Sequence, residues 1–160
     1  MSKVTVFGAG AWGSTMAQVL SDAGNEVLIW GRNQAVIDEI NNLHTNSKYL
    51  SAHILPSELH ATTDLDKAFA FSNIYVLAIP SSQLRETLNG WKPRFAHDCL
   101  IVSTLKGIEI STQLRMTEVI NEILGDKRVA IITGPNLADE LVLRQPAGAV
   151  AAAQNLNIAE

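Results

Sequence analysis

Gly8-Ala9-Gly10-Ala11-Trp12-Gly13 is the stretch of this 160-residue chain whose residue types and spacing best define a chemistry. A short apolar run precedes it and a helical pattern follows. That context turns a weak glycine motif into a phosphate-binding loop. Gly8 permits the tight turn, Gly10 lets the backbone approach a pyrophosphate, and Gly13 lets the helix pack close to the strand. The unpaired N–H groups of the helix start would face the anion. Trp12 has two readings, a core aromatic on the first helix or a wall against a bound ligand.

Three further positions could act with this loop. The second apolar run ends in Trp30-Gly31-Arg32-Asn33, where dinucleotide-binding sheets usually place an acid for the ribose hydroxyls. The nearest acids, Glu26 and Asp38, stand at the strand start and inside the next helix. Arg32 is suited to a bidentate pair with a 2′-phosphate, which favours NADP(H), with NAD(H) as the alternative; a solvated loop arginine is the other reading. Lys106 falls just past an apolar run, at the edge where α/β sheets bind ligands, and offers a point charge to a phosphate or carbonyl oxygen; a surface lysine would look the same. Gly134-Pro135-Asn136 also follows an apolar run. Asn136 with Asp139 there reads as an N-cap and a short polar capping box, which is compatible with an anion site.

These positions need a scaffold. Apolar runs at Lys3–Phe7, Glu26–Trp30, Ile74–Ile79, Cys99–Ser103, Val129–Thr133 and Ala147–Ala153 are continuous rather than alternating, as in strands covered on both faces. Helical patterns fill Trp12–Ala23, Gln34–Leu43, Ser82–Leu88 and Ser111–Leu124, the last stopping at Gly125. The alternation predicts an α/β fold with a doubly wound, mostly parallel sheet. Asn41–Thr63 lacks periodicity and reads as loop with one or two short strands. The final residues read as the opening of a helix.

Composition bounds the function. With 16 acids against 12 bases, a net charge of −4 and scattered Lys and Arg, the chain offers no phosphate-tracking stripe, so no nucleic-acid partner is expected. No apolar stretch approaches the roughly 18 residues of a membrane span, and the start is too short for a signal peptide. The single cysteine, Cys99, excludes an internal disulfide and reads as a buried core residue. His44, His53, His60 and His97 have no metal-ligand spacing and read as surface or loop residues. A cytoplasmic protein is the expectation. The length fits one domain, residues 1–160, which buries roughly 70% of its unfolded surface.

The glycine loop, Trp30-Gly31-Arg32-Asn33, Ala78-Ile79-Pro80-Ser81, Lys106-Gly107-Ile108-Glu109 and Gly134-Pro135-Asn136-Leu137-Ala138-Asp139-Glu140 occur in that order. Together they resemble bacterial NAD(P)-dependent glycerol-3-phosphate dehydrogenase, with Lys48-Tyr49-Leu50 and Ala61-Thr62-Thr63-Asp64-Leu65 adding to the likeness. The resemblance implies a Rossmann domain and transfer of hydride between NAD(P)H and dihydroxyacetone phosphate, giving sn-glycerol 3-phosphate for glycerophospholipid synthesis. It places Ala11, Trp12, Arg32, Asn33, Lys106 and Ala138 against the cofactor, and Lys106, Gly134 and Asn136 against the substrate. Asn136 and Leu137 depart from the family's commoner Ser or Thr then Phe. The family's general base is a lysine in a following all-helical domain, and this chain stops before such a domain. A homodimer of the full enzyme is the assembly to expect. Another NADP-linked two-domain reductase, or a stand-alone dinucleotide-binding domain without catalysis, are the competing readings.

Overall fold

A computed structural model describes residues 1–125 and 127–159. One seven-stranded sheet organises them, in the order β3-β2-β1-β4-β5-β6-β7. Its strands are β1 (Lys3–Phe7), β2 (Glu26–Trp30), β3 (His60–Thr62), β4 (Ile74–Leu77), β5 (Leu100–Ser103), β6 (Arg128–Thr133) and β7 (Val150–Ala153). The first six run parallel and β7 is antiparallel to β6, pairing Thr133 with Val150. The doubly wound, mostly parallel reading therefore holds.

The helices are α1 (Ala11–Asp22), α2 (Gln34–Leu43), α3 (Ser47–Leu50), α4 (Leu65–Phe71), α5 (Leu84–Trp91), α6 (Met116–Leu124), α7 (Ala138–Val142) and α8 (Leu156–Ala159). Period-two alternation in β1 explains how they divide. Val4 and Val6 join Val27, Ile29, Val76 and Val102 in a core that also takes α1, α2 and α7 residues. Phe7 faces the other side with Tyr75, Leu77 and Ile101, against α4, α5 and α6. An aromatic group forms there: Phe7 lies 4.7 Å from Phe69 and 4.9 Å from Trp91, between ring centroids. Thr5, on the same face, is fully buried because Oγ1 donates to the Ala68 carbonyl at 2.9 Å.

The Asn41–Thr63 stretch holds one short strand, β3, as expected, together with the unexpected single-turn helix α3. Helix α4 was not expected; Asp64 caps it by accepting from Lys67 N at 3.0 Å. The helix expected from Ser111 begins at Met116, because residues before it close a loop, with Glu109 N bonded to Leu114 O at 2.8 Å and Ile108 bridged to Arg115. Glu118 then reaches back to accept from Arg115 N at 2.8 Å, the acidic half of a capping box, at the start of α6. The stop at Gly125 stands, at φ 72°. Cys99 is fully buried. Among the described residues no helix is long and apolar enough to cross a membrane, and no cluster of His, Cys, Asp or Glu is arranged to hold a metal.

Candidate functional site

The strand order reverses between β1 and β4, and ligands of open α/β sheets bind in the crevice such a reversal leaves beyond the strands' carboxyl ends. A cleft of about 840 Å³ occupies that place. The loop 8–13 lines it, with Gly31, Arg32 and Asn33 after β2, and Ala78, Ile79 and Pro80 after β4 followed by Gln83, which precedes α5, and Glu86 and Thr87 on α5. Gly8, Gly10, Ala11, Trp12, Gly13, Arg32 and Asn33, all expected at a cofactor, thus line one cavity.

The three loop glycines differ in what the fold asks of them. Gly8 sits at φ 126°, and a Cβ there would overlap the Ala78 carbonyl. A Cβ on Gly13 would overlap the Gly8 carbonyl oxygen. Gly10 has an ordinary extended backbone, φ −81° and ψ −176°, and a Cβ on it would meet no atom within 4 Å. Nothing inside the protein requires glycine at that point. The space lies at the start of α1, whose first helical hydrogen bond runs from Ser14 N to Gly10 O at 3.0 Å, leaving the preceding N–H groups as donors. This is a cradle that fits a pyrophosphate.

Trp12 is half-buried and lines the cleft, and its Nε1 is buried with no hydrogen-bond partner among the described residues. The wall reading is favoured over the core reading. Arg32 is exposed, with no carboxylate in ion-pair distance among the described residues. Its charge is available to a ligand. Asn33 is committed locally, since Oδ1 caps α2 by accepting from Ala35 N at 3.0 Å.

Lys106, Gly134, Asn136 and Ala138 do not line this cleft. They gather at the ends of the neighbouring strands β5 and β6. Lys106 Nζ donates to the Gly134 carbonyl at 2.9 Å, joining two positions expected at the substrate. Ala138 meets α1, where its carbonyl accepts from Thr15 Oγ1 at 3.4 Å. The capping role expected for Asn136 is not present: the N-cap of α7 is Leu137, without a side-chain bond. The backbone is still extended at Leu137 (φ −107°, ψ 140°), so Asn136 stands one residue too early to reach the first-turn N–H groups. Its Nδ2 lies against Gly134 instead.

The loop carrying Lys106 is pinned by charge. Arg85 on α5 gives Nη2 to Glu109 at 2.8 Å and Nη1 to Glu122 at 2.7 Å, and Thr112 Oγ1 donates to Glu109 at 2.5 Å. The Arg85 guanidinium, then Thr112, hold the Glu109 carboxyl below its usual range. A depressed carboxyl stabilises the fold above its unfolded pKa, about 4.3, and that contribution disappears as pH falls through the lower folded value. Glu109→Gln should therefore flatten the loss of melting temperature between neutral and acid pH. An unchanged acid slope would show that the pair does not matter for stability.

The wall made by Gln83 and the α5 residues Glu86, Thr87 and Trp91, and the place of Tyr49, carry no local sequence signal. The first follows from a strand order that no local pattern reports. The helix after Pro80 was visible, but not that it borders the glycine loop.

The family described as NAD-dependent glycerol-3-phosphate dehydrogenase N-terminus matches residues 3–159. Curated relatives include glycerol-3-phosphate dehydrogenase [NAD(P)+] of Streptomyces coelicolor, 44% identical over 99% of this chain and 48% of the relative. The enzyme of the same name from Corynebacterium diphtheriae is 47% identical over 96% of this chain and 47% of the relative. Among solved structures, glycerol-3-phosphate dehydrogenase of Coxiella burnetii superposes with a TM-score of 0.89 at 28% identity, over 98% of this chain and 48% of that one. The chain spans about half the length of the relatives it matches. With the family matched over nearly every residue and the glycine cradle intact, the chain belongs to the N-terminal domain family of NAD-dependent glycerol-3-phosphate dehydrogenases.

Proposed function

We propose that this chain is the cofactor-holding half of an NAD(P)-dependent glycerol-3-phosphate dehydrogenase that reduces dihydroxyacetone phosphate to sn-glycerol 3-phosphate for glycerophospholipid synthesis in the cytoplasm. The observation that carries this reading is the open space at Gly10 inside a cleft at the strand-order reversal. When bound, NADPH or NADH supplies the hydride. The loop N–H groups hold its pyrophosphate, Trp12 walls the cleft, and Arg32 meets a 2′-phosphate. Lys106, beside Gly134 and Asn136, offers its ammonium to the phosphate or carbonyl oxygen of the substrate.

The general base that the family resemblance implies, a lysine, is placed by this reading outside the half that the chain spans. Exposed Leu137, Leu143, Val150 and Leu156 fall within residues 137–156, at or beyond the end of β6, and supply apolar surface for that half to cover. A homodimer of the full enzyme is part of this proposal on the resemblance alone.

Binding and chemistry separate in one experiment. The chain's three tryptophans, Trp12, Trp30 and Trp91, all line the cleft, so NADPH should quench the intrinsic fluorescence. Adding dihydroxyacetone phosphate to the same sample should give no steady oxidation of NADPH. Turnover at an ordinary enzyme rate would overturn the placement of the base outside this chain, and absence of quenching would overturn the cofactor site.

A further inference from the structure

The segment between α2 and β3 lies outside the strand–helix alternation, yet it reaches the glycine loop. Asn46 is fully buried. It occupies the N-cap position of α3, where an asparagine side chain usually bonds the helix's own N–H groups; here it makes no such bond. Its Nδ2 instead donates to the Ala9 carbonyl at 3.1 Å and to Ser14 Oγ at 2.9 Å. A carbonyl can only accept, so the amide orientation is fixed by Ala9. The Oδ1 is left buried and unpartnered among the described residues, a cost that a purely structural asparagine would avoid.

The position of that bond matters. The peptide linking Ala9 to Gly10 is trans, as all in the described chain are, and in a trans peptide the carbonyl and the following N–H point in opposite directions. Holding the Ala9 carbonyl inward, toward Asn46, turns the Gly10 N–H away from Asn46. Gly10 lines the cleft. A reversed peptide would present a carbonyl oxygen to the site in place of a donor, which repels an anion.

Asn46 is itself held. Glu39 on α2 accepts from Ser47 N at 2.6 Å and from Thr45 Oγ1 at 2.8 Å, one residue to either side. These bonds, Ser47 first, keep the Glu39 carboxyl below its ordinary range. Helix α2 begins beside Arg32. Contacts thus run from the Arg32 side of the cleft through α2 and Glu39 to Asn46 and the phosphate loop.

We propose that Asn46 is a positioning residue that locks the Ala9–Gly10 peptide with its N–H toward the pyrophosphate. The proposal rests on the dinucleotide reading of the cleft and adds a residue from a different part of the chain to it. The test uses Asn46→Ala and Asn46→Asp in the 160-residue chain, titrated calorimetrically with NADPH, with ADP, and with adenosine 2′-phosphate, which has no pyrophosphate. NADPH and ADP should weaken about tenfold, the equivalent of one lost buried hydrogen bond. Adenosine 2′-phosphate should bind as before, to within about twofold.

A role in general stability would weaken all three ligands together, and that outcome, or no loss at all, overturns the proposal. Should both variants fail to fold, Ser14→Ala removes one of the two acceptors and should show the same ligand pattern with a loss of about threefold; a uniform loss or none is again the contrary result. Wild-type chain that binds neither NADPH nor ADP would overturn the cleft reading and the lock with it. Wild-type binding with an indifferent Asn46 would overturn the lock alone.

Discussion

Gly10→Ala should melt at the wild-type temperature and bind NADPH tenfold to about 100-fold more weakly. The backbone at Gly10 is one that alanine adopts freely, and the added methyl meets no protein atom. Alanine is a poorer N-cap than glycine, but it also loses less entropy on folding, and these two effects of about 0.5–1 kcal/mol oppose each other. The methyl would stand where the pyrophosphate approaches, and overpacking of that kind costs about 1–3 kcal/mol, which sets the range of affinity loss. Gly13→Ala should do the reverse in order of effect. Its methyl overlaps the Gly8 carbonyl oxygen and presses on Ala78 Cβ at 3.3 Å, so α1 must move off the sheet. The melting temperature should fall by about 2–4 °C for each kcal/mol of that strain. Calorimetric melts and NADPH titrations on both variants check the pair. A Gly10→Ala chain that binds NADPH normally would remove the ligand explanation of that glycine.

Arg32→Glu should weaken NADPH tenfold to about 100-fold while changing NADH by less than about threefold. A charge-assisted pair between guanidinium and phosphate is worth about 1.5–3 kcal/mol, and the glutamate adds repulsion to its loss. Arg32 is exposed and makes no ion pair among the described residues, so the substitution disturbs little in the free protein. Because the site is open, salt screens it; the difference between the cofactors should narrow between low and high ionic strength. Titration of both cofactors at two salt concentrations gives the result. Equal losses for NADPH and NADH would withdraw the 2′-phosphate from Arg32.

Much of the site was legible because its signals are local. The glycine spacing, the strand before it and the helix after it occupy residues 3–22 and were all readable. So was Arg32, whose position at the end of β2 follows from a continuous apolar run. What escaped is non-local or short. Strand β3 falls within the 41–63 stretch expected to hold one or two short strands, but its three residues are too few for a period to fix its place. Asn136 looked like a cap because its residue type favours caps, but the backbone enters α7 one residue later. Asn46 gave no signal in a stretch without periodicity, since its partners Ala9 and Ser14 lie 37 and 32 residues away.

The class of fold, the phosphate loop and the charge offered to a ligand were already written in the order of residues along the chain. Each rests on residue types at fixed short spacing, which the helix and strand periods convert directly into geometry. Which residues share the cleft follows from the folded arrangement alone. The reversal of strand order sets α5 across from α2, brings Lys106 to Gly134 and seats Asn46 behind the glycine loop. Those meetings depend on how strands distant in sequence are ordered in the sheet, and burial of two apolar faces fixes that order rather than any local pattern.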